Sequence, residues 1–235
     1  MYQFPSKVNQ VNYFRFPKQL VKSGKWALLP KASKAIYPAI ASFANEKGIS
    51  YPTEETIAAI SGIVPDTVTA GIKALRNERQ IVERIETYTT AKGHSAYKYK
   101  LNFPAMDKGT SFPFYKAVLE GGNWAMLKSS GKSLYVAIRE FSSYDEENLG
   151  FVMEEYQART YEICEADKRI LCECAGIDQK SFKSGIRSLI ECHLVEITND
   201  DQIKVYIKPE VRFKAEFMNE LSNQKKRKKF GTKYL

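Results

Sequence analysis

Apolar residues recur at helical spacing in the first part of the chain and predict a first helix with one apolar face: Ile36, Tyr37, Ile40, Phe43 and Ala44. Pro38 is expected early in this helix, where proline is best tolerated. Lys47 and Gly48 are expected to end it. A short extended piece is predicted over 49–51.

Two more helices are predicted after this extended piece. Thr53 is expected to cap a helix over 54–61, which Gly62 ends. After a three-residue turn, Asp66 is expected to cap a third helix that runs to about Arg79. The face of this helix that is predicted to be buried consists of Val68, Ile72 and Leu75.

A β-hairpin is predicted after the third helix. Strands over 81–88 and 96–101 are rich in β-branched and aromatic residues, and the polar loop between them contains Gly93. The predicted order is therefore helix, strand, helix, turn, helix and hairpin.

The chain contains an internal repeat. Residues 14–43 align with 112–141 without a gap, and twelve of the thirty aligned positions are identical. The two tryptophans, Trp26 and Trp124, are among the identical positions. Two copies of similar length predict two similar domains, which a short polar linker near 105–111 would join.

The repeat resumes downstream, where Ser61-Gly62-Ile63 matches Ala175-Gly176-Ile177 and 71–75 matches 185–189. The second copy carries an acidic insertion over 142–160, predicted to be a surface loop or hairpin. The remaining elements predicted for this copy are helices over 132–142, 166–175 and 179–192, and a hairpin pairing 194–198 with 202–208.

The order of the predicted elements and one segment of the sequence resemble a known protein family. Residues 53–63, TEETIAAISGI, followed by Asp66-Thr67-Val68, resemble the winged helix-turn-helix family. The resemblance covers roughly 12–104 and 110–209 and implies an α+β fold with two tandem winged-helix domains, each of three helices plus a β-hairpin wing. In that family the third helix enters the major groove of DNA, and the wing touches the backbone or the minor groove.

The charge is basic but uneven. The net charge of the chain is +9. Counting side chains gives +8 for residues 1–111, −4 for 112–209 and +5 for 210–235. A basic surface attracts polyanions, and nucleic acid is the commonest of these in a cytosol. The first half and the tail therefore carry most of the expected attraction to DNA.

The residues expected to contact double-stranded DNA lie on the outward faces of the two third helices. They are Thr67, Thr69, Ala70, Lys73 and Asn77 in the first copy, and Gln179, Lys180, Lys183, Ser184 and Arg187 in the second. Arg and Lys suit guanine, Gln and Asn suit adenine, and hydroxyls suit either base or phosphate. The alternative is that these faces are merely solvated.

The wings and the tail are expected to contact the DNA backbone unequally. The first wing carries Lys92, His94 and Lys98, whereas Asp200 and Asp201 at the tip of the second would repel phosphate. Residues 210–235 are predicted to form a C-terminal amphipathic helix with a basic tail. The tail contains a run of five basic residues, Lys225, Lys226, Arg227, Lys228 and Lys229, expected either to hold the DNA backbone or to be a disordered tail.

Four conspicuous residues have a structural interpretation. Gly71 and Gly185 lie in the middle of the third helices, where glycine costs about 1 kcal/mol relative to alanine. For both glycines, close packing of the third helix against the first helix is favoured over a close approach of its backbone to DNA. Trp26 and Trp124 are interpreted as core anchors rather than as platforms for bases.

The sequence predicts no enzyme, cofactor or metal site. The only histidines, His94 and His193, lie in different copies, and no phosphate-binding G-x-x-x-x-G-K-[ST] loop occurs. The cysteines, 164, 172, 174 and 192, are expected to be reduced thiols, and their spacing is unlike that of common zinc sites. No apolar run is long enough to span a membrane, and a cytoplasmic location is expected.

Two functional classes follow. The architecture is similar to that of compact replication initiators of plasmids, phages and mobile elements, although no initiator-specific motif is matched. The alternative is a transcriptional regulator (repressor) of the winged-helix type. The acidic second domain adds a third role that is compatible with the first, namely binding to another copy of the chain or to a replication protein.

Overall fold

The computed structural model describes residues 13–78, 80–89, 95–102, 109–143 and 161–206. Several sequence-based predictions lie outside these residues. They concern the wing residues Lys92 and His94, the interior of the acidic insertion, the C-terminal helix, and the basic run 225–229.

The first half begins with a strand and two short helices that precede the predicted first helix. Its elements are β1 (Tyr13–Pro17), α1 (Lys18–Lys22), α2 (Lys25–Leu28), α3 (Lys31–Ser42), β2 (Ile49–Ser50), α4 (Glu54–Ser61), α5 (Pro65–Lys73), a π-helical turn (Ala74–Glu78), β3 (Val82–Thr89) and β4 (Ser95–Leu101). Strands β2, β3 and β4 form an antiparallel sheet in the order β2-β4-β3, so β3 and β4 make the expected hairpin, whereas β1 pairs with residues 111–115 of the second half.

The second half repeats this order with one extra strand. Its elements are β5 (Ser111–Tyr115), α6 (Ala117–Glu120), α7 (Asn123–Met126), α8 (Ser129–Glu140), β6 (Ser142–Ser143), β7 (Tyr161–Cys164), α9 (Lys168–Ala175), α10 (Gln179–Glu191), β8 (Val195–Ile197) and β9 (Ile203–Tyr206). The sheet order is β6-β7-β9-β8. Because β6 and β7 pair antiparallel, the two ends of the acidic insertion lie side by side, as in a hairpin.

The predicted bounds of α4 are confirmed, whereas those of α5 are confirmed only in part. The Thr53 side chain accepts a hydrogen bond from the amide of Thr56 and caps α4 as predicted. The expectation that Asp66 caps the third helix is wrong, because α5 begins one residue earlier, at Pro65, and Val64 is the cap position. Proline is preorganised for the first helical position. Asp66 instead places its charge in the first turn, at the positive end of the helix dipole.

The expected position of Pro38 is also wrong. Since α3 starts at Lys31, Pro38 lies well inside the helix rather than in its first turn. Its ring nitrogen cannot donate to the carbonyl of Lys34, so the helix loses one backbone hydrogen bond. Pro38 is buried, and packing of the surrounding core compensates for that loss.

The two halves share one hydrophobic core. Trp26 and Trp124 are completely buried in it, as predicted for core anchors. Each indole N–H donates to a carbonyl of the opposite half: Trp26 to Ser133 at 3.0 Å, and Trp124 to Ala35 at 2.8 Å. The tryptophans therefore fix the halves to each other, in addition to filling the core.

A buried ion pair belongs to the second half alone. Arg139 of α8 is fully buried, pairs with Glu162 of β7 at 2.8 Å and donates to the carbonyl of Pro113. The Tyr115 hydroxyl donates to the same Glu162 carboxylate. These contacts anchor β7, the strand that follows the acidic insertion, to α8 and β5. The aligned residue of the first half is Ala41, which cannot make them.

Two equivalent lysines are buried where the halves meet. The Lys34 ammonium donates to the carbonyls of Ala27 and Ala175, at 3.0 and 2.8 Å. The Lys132 ammonium donates to the carbonyl of Ser61 at 2.9 Å. Each lysine therefore binds the last carbonyls of a helix in the opposite half, where the helix dipole favours a cation.

Burial of these lysines predicts a rise in stability at mildly alkaline pH. Desolvation lowers the pKa of both Lys34 and Lys132 to about 8, from 10.5. Above pH 8 the unfolded chain binds more protons than the folded chain, so the free energy of unfolding rises with pH. We expect wild type to gain about 1 kcal/mol per lysine over a Lys34→Met or Lys132→Met variant between pH 7 and 8.5.

Urea titrations at the two pH values measure this difference. Comparison with the variants removes the contribution of the cysteines, because those thiols are present in every protein compared. A difference between wild type and variant that stays constant with pH would contradict the assignment.

In the described ranges, no single helix is both long and apolar enough to cross a membrane; α4 and α5, bent by 101°, meet the length and composition criteria only as a pair.

Candidate nucleic-acid interface

The turn between α4 and α5 has helix-turn-helix geometry. Gly62 ends α4 in the left-handed region, at φ 65°, and the two helices meet at 101°. Helices joined in this way in helix-turn-helix motifs cross at about 90–120°. The second helix of such a unit is the one that can enter a groove of DNA.

The second half builds the same turn with stronger caps. Asp167 accepts a hydrogen bond from the amide of Ile170 and caps α9, and Asp178 accepts one from Ser181 and caps α10. The hydrogen bonds from Ser181 lower the pKa of Asp178 and keep it ionised. Gly176 ends α9 in the left-handed region, as Gly62 does for α4.

Both candidate recognition helices are packed through their glycines. A Cβ on Gly71 would lie 2.7 Å from Ile36 Cδ1 in α3, and one on Gly185 would lie 3.1 Å from the carbonyl oxygen of Ser130 in α8. The prediction of close packing against the first helix is confirmed. The opposite faces of α5 and α10 are consequently free of the core.

The predicted contact residues lie on these outward faces, except Asn77, which lies in the π-helical turn after α5. Thr67 and Ser184 are half-buried, and the other eight are exposed: Thr69, Ala70, Lys73, Asn77, Gln179, Lys180, Lys183 and Arg187. The helical phase read from the sequence was therefore correct in both halves, although contact with DNA itself remains a prediction.

On α5, part of the polar surface is occupied by internal contacts. The Thr69 hydroxyl donates to Glu54 at 3.0 Å, which ties the recognition helix to the first turn of α4. Arg76, an exposed cation that the sequence interpretation omitted, donates to Asn77 at 2.8 Å. Its position three residues after Lys73 was the available signal. The π-helical turn that carries Arg76 was not foreseen.

On α10, the cations stand free among the described residues. Within the part of the chain that the structure describes, Lys180, Lys183 and Arg187 form no ion pair and no side-chain hydrogen bond. They recur at intervals of three and four residues and so share one helical face. That face has unused donors, which suits it to phosphates and base edges.

The charge of the two helix-turn-helix surfaces is opposite to the charge of the halves that carry them. Residues 54–77 contain two basic and three acidic side chains, a net of −1. Residues 167–190 contain five basic and three acidic side chains, a net of +2. The second half is acidic overall, but its recognition surface is the more basic of the two.

A β-hairpin follows each candidate recognition helix, and the charges of the two hairpins differ. Lys98 is half-buried on β4 of the first hairpin, and Lys100 beside it is exposed. At the tip of the second hairpin, Asp200 and Asp201 are both exposed. An acidic tip disfavours contact with phosphate, so the two hairpins would offer DNA different surfaces.

The described cysteines and histidine do not form a metal site. Cys164, Cys172 and Cys192 are buried free thiols, and Cys174 is half-buried. Among the described residues, no three His, Cys, Asp or Glu side chains come together in a way that could hold a metal ion.

A comparison with protein families supports the geometry of the first half. A family model described as a helix-turn-helix domain matches residues 27–77, which run from α2 through α5 to the π-helical turn. Residues 27–77 are thus similar to a helix-turn-helix domain, a type of domain that suggests DNA as a partner. No curated protein matches the chain, and no solved structure does.

Proposed function

We propose that the chain is a non-enzymatic, sequence-specific double-stranded DNA-binding protein with two tandem winged-helix domains. The observation that carries this proposal is the exposed row on α10, Gln179, Lys180, Lys183 and Arg187, whose helix is packed by its opposite face on α8. The match of a helix-turn-helix family model to residues 27–77 supports a DNA-binding unit in the other half.

The two recognition helices have different tasks in this proposal. Long cationic and amide side chains on α10 can reach both phosphates and the edges of guanine and adenine. The side chains on the outward face of α5 are shorter and carry less charge. Thr69 is hydrogen-bonded to Glu54, and Lys73 is exposed. This face reads fewer bases, and β3 and β4 next to it supply backbone contacts through Lys98 and Lys100.

The biological role that we propose is replication initiation for a plasmid or other mobile element. Support for it comes from the architecture, two related DNA-binding units in one compact chain. Transcriptional repression is the alternative within the same biochemistry. A plasmid carrying the bound site next to this gene would replicate under the first role; under the second, the site would only silence a promoter placed beside it.

Binding of duplex DNA is expected to weaken with salt, because phosphate contacts release counterions. If about six phosphates are contacted, affinity should fall on the order of 10³-fold between 50 and 200 mM salt. Lys183→Ala should reduce the slope of log affinity against log salt by about 1. Titration of labelled duplexes at several salt concentrations measures both quantities.

Lys22→Ala is the matched control, since Lys22 is an exposed lysine at the end of α1, near Glu140 at the end of α8 away from α10. It should leave the salt slope unchanged. Affinity that stays flat with salt, or a slope that both variants change equally, would contradict the placement of phosphate contacts on α10.

A further inference from the structure

In both helix-turn-helix units, the first residue of the first helix contacts the recognition helix. Thr53 and Asp167 are equivalent in the repeat and cap α4 and α9 through their side chains. Glu54 and Lys168 therefore occupy equivalent places, directly after the cap. Their side chains reach across to the recognition helix from the same starting point, but they carry opposite charges.

Lys168 makes two contacts with α10. Its ammonium donates to the side-chain oxygen Oε1 of Gln179 at 3.5 Å, and it lies 5.5 Å from the centroid of the Phe182 ring. Because an ammonium can only donate, it faces the oxygen of the Gln179 amide and leaves the NH₂ group turned away. Lys168 is exposed, and an ammonium has three N–H donors, so two of them remain for an acceptor outside the protein.

Glu54 makes a different contact in the first half. Its carboxylate accepts a hydrogen bond from the Thr69 hydroxyl at 3.0 Å. The residue equivalent to Gln179 is Pro65, which has no side-chain polar group to orient. A carboxylate also repels the phosphates that an ammonium attracts. The first turn of α4 therefore presents negative charge where the first turn of α9 presents positive charge.

The charge difference between the two helix-turn-helix surfaces is concentrated in this turn. Glu54 and Glu55 of α4 are equivalent to Lys168 and Arg169 of α9, a change from −2 to +2, whereas the whole surfaces differ only between −1 and +2. Arg169 is paired with Glu173 of its own helix at 3.0 Å. Lys168 forms no ion pair with any residue that the structure describes, so its charge is available to DNA.

Lys168 also lies where the DNA backbone and the base edges come within reach together. In helix-turn-helix complexes the first helix crosses the backbone, and the N-terminal residues of the recognition helix contact base edges. Lys168 begins the first helix, and its ammonium is beside Gln179, the first residue of α10. Phosphate contacts fix the register of a protein on the duplex, and base contacts specify the sequence.

We propose that Lys168 is a positioning residue for base recognition by α10: it binds a backbone phosphate and, from that phosphate, orients the amide of Gln179 toward a base edge. The Gln179 oxygen has a second lone pair and the amide has two N–H groups, which suffice for the paired hydrogen bonds to adenine. Glu54 prevents α5 from making the equivalent phosphate contact. This inference rests on the proposed function and adds to it a residue outside the recognition helix.

A double-mutant cycle between Lys168→Met and Gln179→Ala tests the positioning role in the full-length chain. The probe is a duplex that the wild-type chain selects from random sequence. Each single variant should weaken binding on the order of 10-fold. The double variant should weaken it by only about 20- to 30-fold, because Gln179 loses its orientation once Lys168 is absent.

Two further variants separate positioning from loss of charge. Lys168→Met should lower the magnitude of the slope of log affinity against log salt by about 1, and Lys168→Arg should restore that slope. Arg169→Met is the matched control, since it removes the neighbouring exposed cation, whose partner is Glu173. Its loss of affinity should multiply with that of Gln179→Ala. Full multiplication of the Lys168→Met and Gln179→Ala losses, or equal coupling of both cations to Gln179, would overturn the positioning role.

Glu54→Lys tests the claim for the first half on the same duplex. It should strengthen binding and raise the magnitude of the salt slope by about 1. Glu55→Lys makes the same charge change one residue later and should have a smaller effect. Equal effects of the two substitutions, or no effect of Glu54→Lys, would overturn the claim for Glu54. These outcomes leave the proposed function standing, whereas a wild-type chain that selects no specific duplex would remove the function and this inference with it.

Discussion

Replacing Lys180, Lys183 and Arg187 together with alanine is expected to lower affinity for the specific duplex by about 10²–10³-fold. Each good contact to a base edge contributes about 1–3 kcal/mol of discrimination, and these three side chains share the outward face of α10. Affinity for unrelated duplex should fall less, because only phosphate contacts are lost there and no base-edge contacts. Competition binding with specific and random duplexes measures the two losses separately.

Stability and charge can be controlled for in that experiment. The three side chains are exposed, so the triple variant should unfold at the wild-type urea concentration. Arg187→Lys keeps the charge but loses the planar fork that binds guanine through two hydrogen bonds. It should weaken specific binding and spare non-specific binding. Equal losses on the two kinds of duplex in the triple variant would make α10 a charged surface without sequence recognition.

Gly176→Ala is expected to lower the free energy of unfolding by about 3 kcal/mol or more, the upper range for overpacking. The new Cβ would lie 2.1 Å from the carbonyl oxygen of Ala27, which also accepts a hydrogen bond from Lys34. Neither backbone can move away without opening the junction between the halves. Gly176 is also at φ 64°, which disfavours any side chain. Chemical denaturation of both proteins provides the measurement.

Gly24→Ala is the matched control for backbone strain. Gly24 has a similar φ of 72°, but a Cβ there would meet nothing within 4 Å. Its replacement should cost only the left-handed strain of about 1–2 kcal/mol. If the two substitutions destabilise the chain equally, the close approach of the halves at Gly176 is not a determinant of stability.

Much of the fold is predictable from local sequence because its signals are local. Thr53 and Gly62 delimit α4 within a few residues of each other, and the buried face of α5 follows from the spacing of Val68 and Ile72. The pairing of β1 with β5 could not be predicted in this way. Phe14 and Phe16 alternate like strand residues, but their partners are almost a hundred residues away. To connect these strands, one would need to know that the two copies of the repeat pair with each other.

The contacts between the halves were hidden for a related reason. Lys34 and Lys132 look like ordinary surface lysines, a residue type that is rarely buried. Their identity in both copies was the one available sign of a shared role. The net charge of each half is a poor guide to its helix-turn-helix surface, because it averages over all surfaces of that half. The exposed faces of α5 and α10 distinguish the two candidate recognition surfaces.

Selection of bound duplexes from a random library, with wild type and with the Lys180/Lys183/Arg187 triple alanine variant in parallel, tests the central claim most directly. That claim is that α10 reads sequence in double-stranded DNA. Wild type should enrich one motif over repeated rounds, and the triple variant should lose the part of the motif that α10 reads. Enrichment of no motif by wild type, or of the same complete motif by both proteins, would contradict it.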